Sequence, residues 1–179
     1  MTEESGNTLA TRRGMLGMAG AVAGGVALSQ MLADSASAVT GSMGSTATRT
    51  ISLAQAQRLT EAAIRYVRDH TNLPPMYVLV VDSAGETKAS LRMDNNSPAA
   101  AALVPHKAHT ARTYRAATAD LATNIKDPAQ IASHVASGAS LLAGGRPIFE
   151  SGQFIGALAV GGGTPVQDDE VARAALSAL

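Results

Sequence analysis

Between Ser52 and His70 the apolar positions Leu53, Ala56, Leu59 or Thr60, Ala63 and Val67 recur at helical spacing, while Arg58, Glu61, Arg65 and Arg68 fall elsewhere. The spacing predicts an amphipathic helix capped by Ser52 and stopped near Pro74 and Pro75, which cannot continue it. The period then shortens. "MYVLVVD" is an almost continuous apolar strand, "SAGE" a tight turn and "TKASLRMD" a returning strand, which together make a β-hairpin. "RPIFE", "SGQ" and "FIGALAVGGG" repeat the pattern, and the apolar run "SLLAGG" just before them reads as a fifth strand. Helical stretches are expected from about Pro98 to Thr118, around "DPAQIASHVASGA", and in the closing "VQDDEVARAAL". In the last of these, Asp168, Asp169 and Glu170 occupy the first turn, where carboxylates favour the positive end of the helix dipole.

The order is thus helix, two strands, helices, about three strands, helix. Hairpins in place of alternating crossovers imply an α+β domain with an antiparallel sheet and helices packed against it. With two Phe, three Tyr and no Trp, the core has to be built from small aliphatic side chains in close helix–sheet contact. Alanine-rich helix faces of this kind also favour burial against a second copy, so a homo-oligomer is expected.

The pattern before Thr50 is of another sort. Arg12 and Arg13 precede a weakly apolar Gly/Ala-rich run that ends in Ala36-Ser37-Ala38, the layout of an export signal with a small-residue cleavage site. The arginine pair points to the twin-arginine variant and hence to an extracellular or periplasmic location. An uncleaved anchor is the alternative, since Gly14 to Ala33 is about long enough to span a bilayer. The expected organisation is a signal over 1–38, a small, polar and disordered linker over 39–49, and one domain over 50–179. Setting aside Arg12, Arg13, Glu3, Glu4 and Asp34 leaves a single positive charge in excess, which offers no field for nucleic acid or an anionic membrane. Absence of cysteine excludes disulfides, thiolate metal sites, thiol nucleophiles and covalent c-type haem attachment.

Two of the four histidines fall in one stretch, "VPHKAHTARTYRAAT". Pro105 directly precedes His106, and a proline there should kink the helix or restart it, placing His106 and Lys107 at a helix N-terminus. No Gly-rich nucleotide motif, P-loop, nucleophile elbow or H-E-x-x-H occurs. The glycines at 161–163 suit either an anion cradle or a strand exit with unusual dihedrals.

"VLVVDSAGETKASLRMD", "HKAHTARTYRAAT", "GGRPIFESGQFIGALAVGGG" and "DDEVARAAL", in this order, resemble the GlcG/HbpS family of haem-binding and haem-degrading domains, related to the C-terminal domain of PduO-type proteins. The likeness covers Ser52 to Leu179 and rests on D-x-x-G, R-M-D, K-A-x-T-A and G-G-x-P-I followed by I-G-A. It implies a profilin-like fold with a five-stranded antiparallel sheet flanked by helices, assembly into oligomers, haem as cofactor, and for some exported members haem degradation or redox sensing with a membrane sensor protein.

Haem iron needs an axial donor, usually neutral imidazole, while the porphyrin needs an apolar slot and cationic partners for its propionates. His109 is the first choice of ligand and His106 the second; at i and i+3 they share one side of a helix and cannot ligate opposite faces of one haem. Thr110 offers an oxygen ligand or a pocket hydrogen bond, and Lys107, Arg112, Arg115 and Arg92 offer positive charge. Two alternatives stand beside this: a small organic acid or a corrinoid-related ligand in the same pocket, or a divalent metal gripped by His106 and His109, for which no carboxylate stands close in sequence. His70 and His134 suit helix-end and surface roles, Met93 a core role, and Asp94 a pairing with Arg92 or a turn cap. No dedicated acid/base pair is evident, so any catalysis would belong to the iron.

Overall fold

A computed structural model describes residues 48–179. The expected export signal over 1–38 and residues 39–47 of the expected linker lie outside the described residues. The chain order is α1 (Leu53–Asp69), β1 (Tyr77–Asp82), β2 (Thr87–Arg92), α2 (Pro98–Tyr114), α3 (Thr118–Asn124), α4 (Pro128–Ala136), β3 (Gly145–Glu150), β4 (Gln153–Gly161) and α5 (Pro165–Leu176). Ser52 caps α1 in a reciprocal box, its hydroxyl accepting from the Gln55 amide at 3.2 Å while the Gln55 side chain accepts from the Ser52 amide at 3.0 Å.

The strands form an antiparallel sheet in the order β2-β1-β4-β3. Strand β1 is central and almost wholly buried, as its unbroken apolar run requires, whereas edge strand β2 is exposed along most of its length. Alternation along β1 sorts the core into two layers. Val78 and Val80 face a cluster built with Leu59, Ala63 and Val67 of α1 and Val171, Ala172 and Ala175 of α5. Leu79 and Val81 face Val104, Ala108 and Ala111 of α2, together with Ala157 and Ala159 of β4. Helix α2 lies close because the sheet presents glycine beneath it: a Cβ on Gly161 would stand 2.6 Å from a Val104 methyl, and one on Gly145 would stand 2.6 Å from the Lys107 carbonyl.

Three expectations need correction. The sheet has four strands among the described residues, not five: Ser140 to Gly144 form no strand and bend at Leu142 and Ala143, Gly144 has φ 114°, the Ser140 amide is held by the Thr110 hydroxyl and the Gly144 carbonyl reaches β4. Pro105 lies inside α2 and does not restart it; packing of Val104 and Ala108 on the sheet carries the helix across the missing donor. His106 and Lys107 are therefore mid-helix residues. Finally, α2 ends at Tyr114 because Arg115 turns left-handed at φ 50°, and the following polar stretch folds as the separate helix α3.

Candidate functional site

Helix α4 and the loop after it stand away from the sheet and leave an apolar cavity against α2. Its volume is about 530 Å³, and Leu103, His106, Ile131, Val135, Leu141 and Leu142 supply its larger side chains. Ile131 and Val135, one helical turn apart, aim the apolar stripe of α4 into this space; no residue of α4 is buried. His106 is its single titratable lining group. The Nδ1 of His106 lies 2.8 Å from the Gly138 carbonyl. A carbonyl only accepts, so Nδ1 carries a proton, and Nε2 is the ring nitrogen left to offer a lone pair to a metal. A backbone carbonyl that fixes the imidazole tautomer is the usual support for a metal-ligating histidine.

His109 is placed elsewhere. It lines a separate cavity of about 250 Å³ with Leu79, Val81, Thr87, Pro105 and Arg112, toward the first hairpin. Although three residues apart on one helix, the two histidines serve different spaces, which argues against their chelating one metal ion. Among the described residues no group of three or more His, Asp or Glu is arranged to hold a metal.

The expected cations do not gather around the apolar cavity. The Lys107 ammonium is buried, 2.6 Å from Asp168 and donating to the Val160 carbonyl at 3.0 Å, so it is committed inside the protein. The pair sits at the edge of a 150 Å³ recess that shares Leu103 and Leu142 with the larger cavity. Arg112 donates through Nε to the Ser83 carbonyl at 3.2 Å and lines the His109 cavity. Arg115 stacks over Phe154, 5.0 Å from the ring centre. Arg92 binds Asn96, through its side chain at 3.3 Å and its carbonyl at 2.9 Å, so it pairs with neither Asp94 nor the cavity. Thr110 is buried, donating to the His106 carbonyl at 2.7 Å and accepting from the Ser140 amide at 2.8 Å. These bonds make it a staple between α2 and the cavity loop, so of the two roles expected for its oxygen, ligand or pocket hydrogen bond, the hydroxyl is engaged in the second, on the backbone of cavity-lining Ser140.

Residues outside the site behave as side chains of their surroundings. His70 sits 2.7 Å from the Tyr66 carbonyl and stacks on the Tyr66 ring; His134 sits 2.8 Å from the Gln130 carbonyl and stacks on Tyr114. The Met93 sulfur is half-buried and accepts from the Met76 amide. As for the glycine run, the Gly163 amide donates to the Asp168 carboxylate at 2.9 Å, so the anion it cradles is the chain's own. Burial pushes the Asp168 carboxyl above the ordinary carboxylate range, against the pull of Lys107 and the neighbouring amides. Asp169 is gripped by both prongs of Arg146 at 2.7 and 2.8 Å. Motif spacing carried no sign of either ion pair, nor of the cavity wall from α4; the apolar pair Ile131 and Val135 followed by Leu141 and Leu142 was the available signal.

The fold is a four-stranded antiparallel sheet with α1 and α5 on one face and α2 on the other, bearing a histidine-edged apolar cavity. This chain belongs to the family described as haem degrading protein HbpS-like, whose model matches residues 51–177. Among solved structures it is similar to a double mutant of Streptomyces reticuli HbpS, with TM-score 0.67 and 28% identity, covering 75% of this chain and 90% of that one. It is likewise similar to PduOC in the structure described as a PduOC:heme complex, with TM-score 0.66 and 27% identity, covering 73% of this chain and 95% of that one. The corrinoid adenosyltransferase PduO of Salmonella typhimurium is 30% identical over 125 residues, 68% of this chain and 37% of that protein. The chain thus spans less than two fifths of the length of that relative.

Proposed function

We propose that this protein binds haem in the apolar cavity between α2 and α4, with Nε2 of His106 as the iron ligand. The observation that carries the reading is the pairing of an imidazole, its tautomer set by Gly138, with an apolar space of about 530 Å³, within the usual range for small-molecule sites. Family membership and the haem held by a relative support it. Leu103, Ile131, Val135, Leu141 and Leu142 would contact the porphyrin and exclude water from one face. With no Lys or Arg lining the cavity, the propionates are expected to point to solvent or to a neighbouring subunit. When bound, the group supplies iron chemistry toward oxidants and, with an external reductant, toward its own ring. The chain's part is to hold the metal by one neutral donor and to keep the tetrapyrrole within reach of solvent.

The proposal extends to export by a twin-arginine signal, to homo-oligomer formation, and to degradation or redox sensing of haem outside the cytoplasm, with a membrane sensor protein as the partner in the sensing case. The profilin-like description of the fold belongs with these. Titration of the full chain with hemin tests the ligand: a Soret band that saturates at a fixed ratio is expected. His106→Ala should weaken binding at least tenfold and shift that band, while His109→Ala leaves both unchanged. Loss of the band in H109A alone, or an unchanged spectrum in H106A, would overturn the assignment, and sedimentation of the same samples reads the oligomer.

A further inference from the structure

The second cavity has a separate chemistry. It is walled by α2 on one side and the first hairpin on the other, and its lining divides into an apolar part, Leu79, Val81 and Pro105, and three polar groups, Thr87, His109 and Arg112. Arg112 is half-buried and uses only its Nε–H within the protein, toward the Ser83 carbonyl. Among the described residues no carboxylate lies within ion-pair distance of it. The nearby acid, Asp82, is fully engaged: one of its oxygens accepts the amides of Ala84, Gly85 and Glu86 at 2.9 to 3.0 Å, and the other faces Lys88 at 3.4 Å. The two terminal nitrogens of the guanidinium are thus left as a forked donor beside an imidazole and a hydroxyl. Gly85 makes room for this arrangement; a Cβ there would press to 3.2 Å from Arg112 Nε.

From this geometry we infer a second ligand site, for a small monocarboxylate. The carboxylate would lie on the Arg112 fork with His109 and Thr87 as further donors, and its short alkyl part would rest on Leu79, Val81 and Pro105. Two features choose this class. An unopposed guanidinium half out of water selects an anion, and its planar fork matches a carboxylate. A volume of about 250 Å³ lies below the usual range for larger ligands and admits only a few carbons beside the headgroup. This site does not depend on haem binding, because none of its lining residues lines the His106 cavity.

Amide NMR of the full chain, titrated separately with propionate, its neutral isostere propionamide, and inorganic sulfate, tests the inference. Propionate should give saturable shifts confined to residues 84–87 and 109–112, with propionamide and sulfate at least tenfold weaker. Arg112→Gln should weaken propionate binding roughly tenfold to a hundredfold, the loss of a charge-assisted contact, while the hemin spectrum stays unchanged. Arg112→Lys, which keeps the charge and loses the fork, should fall between. Equal shifts with propionamide, tighter binding of sulfate, or no saturable shift with propionate in the wild-type protein would each overturn the site, whether or not the glutamine variant folds.

Discussion

At the scale of single residues, the least replaceable polar contact is the buried pair of Lys107 and Asp168 at 2.6 Å. Removing one partner leaves the other charge in a dry place, so Lys107→Met should cost about 3–5 kcal/mol in urea unfolding, and adding Asp168→Leu should cost less than the two single changes summed. Additive losses would show that the two groups act separately. Asp82 supplies the pH dependence. Burial alone would raise its carboxyl, but the Glu86 and Ala84 amides and Lys88 outweigh that and hold it below its ordinary value. A carboxyl depressed in the folded state contributes stability above its unfolded pKa of about 3.9 and loses it as pH falls through the folded value. Asp82→Asn should therefore be less stable than wild type at pH 7 by about 1 kcal/mol, and the gap should close as pH falls below the unfolded value and through the folded one; a gap that persists in strong acid would contradict the charge argument. The Asp82 turn was legible from D-x-x-G, since one acceptor three residues before a glycine organises a hairpin locally. Lys107 was not. Its partner lies 61 residues away, and no local pattern records which cation the fold draws inward.

Elements show the same division between local and distant causes. Helix α1 and both hairpins follow from periodicity, because each buries one face on its nearest neighbours. The fifth strand failed for a tertiary reason: the apolar run Ser140 to Gly144 is drawn to Thr110 and the cavity rim, and a left-handed glycine ends any extended course. Of the two outcomes expected at Pro105, a kink or a restart, the restart does not occur, since contacts of α2 with the sheet outweigh a lost helical donor. Helix α4 has the apolar stripe of a packed helix and no buried residue to match it. It should open more readily than α1. Hydrogen exchange across Pro128–Ala136 is expected to be much faster than across Leu53–Asp69, and to slow several-fold when hemin is added. Equal protection of the two helices without ligand, or no change with hemin, would detach α4 from the proposed cavity.

Over the whole molecule, two helices close one face of the sheet and one helix crosses the other, and beside α2 the side chains of Leu103, Ile131, Val135 and Leu142 remain exposed. Fold class and helix–hairpin order were readable from the chain because hydrophobic spacing encodes which faces are buried. The choice between His106 and His109 was not, because it depends on how α4 and its loop return to α2. Paramagnetic broadening of backbone amides by bound ferric hemin decides this most directly. The account predicts that signals of Leu103–His106 and Ile131–Leu142 vanish while those of residues 84–87 persist; the reverse pattern, with the hairpin bleached and α4 intact, would contradict it.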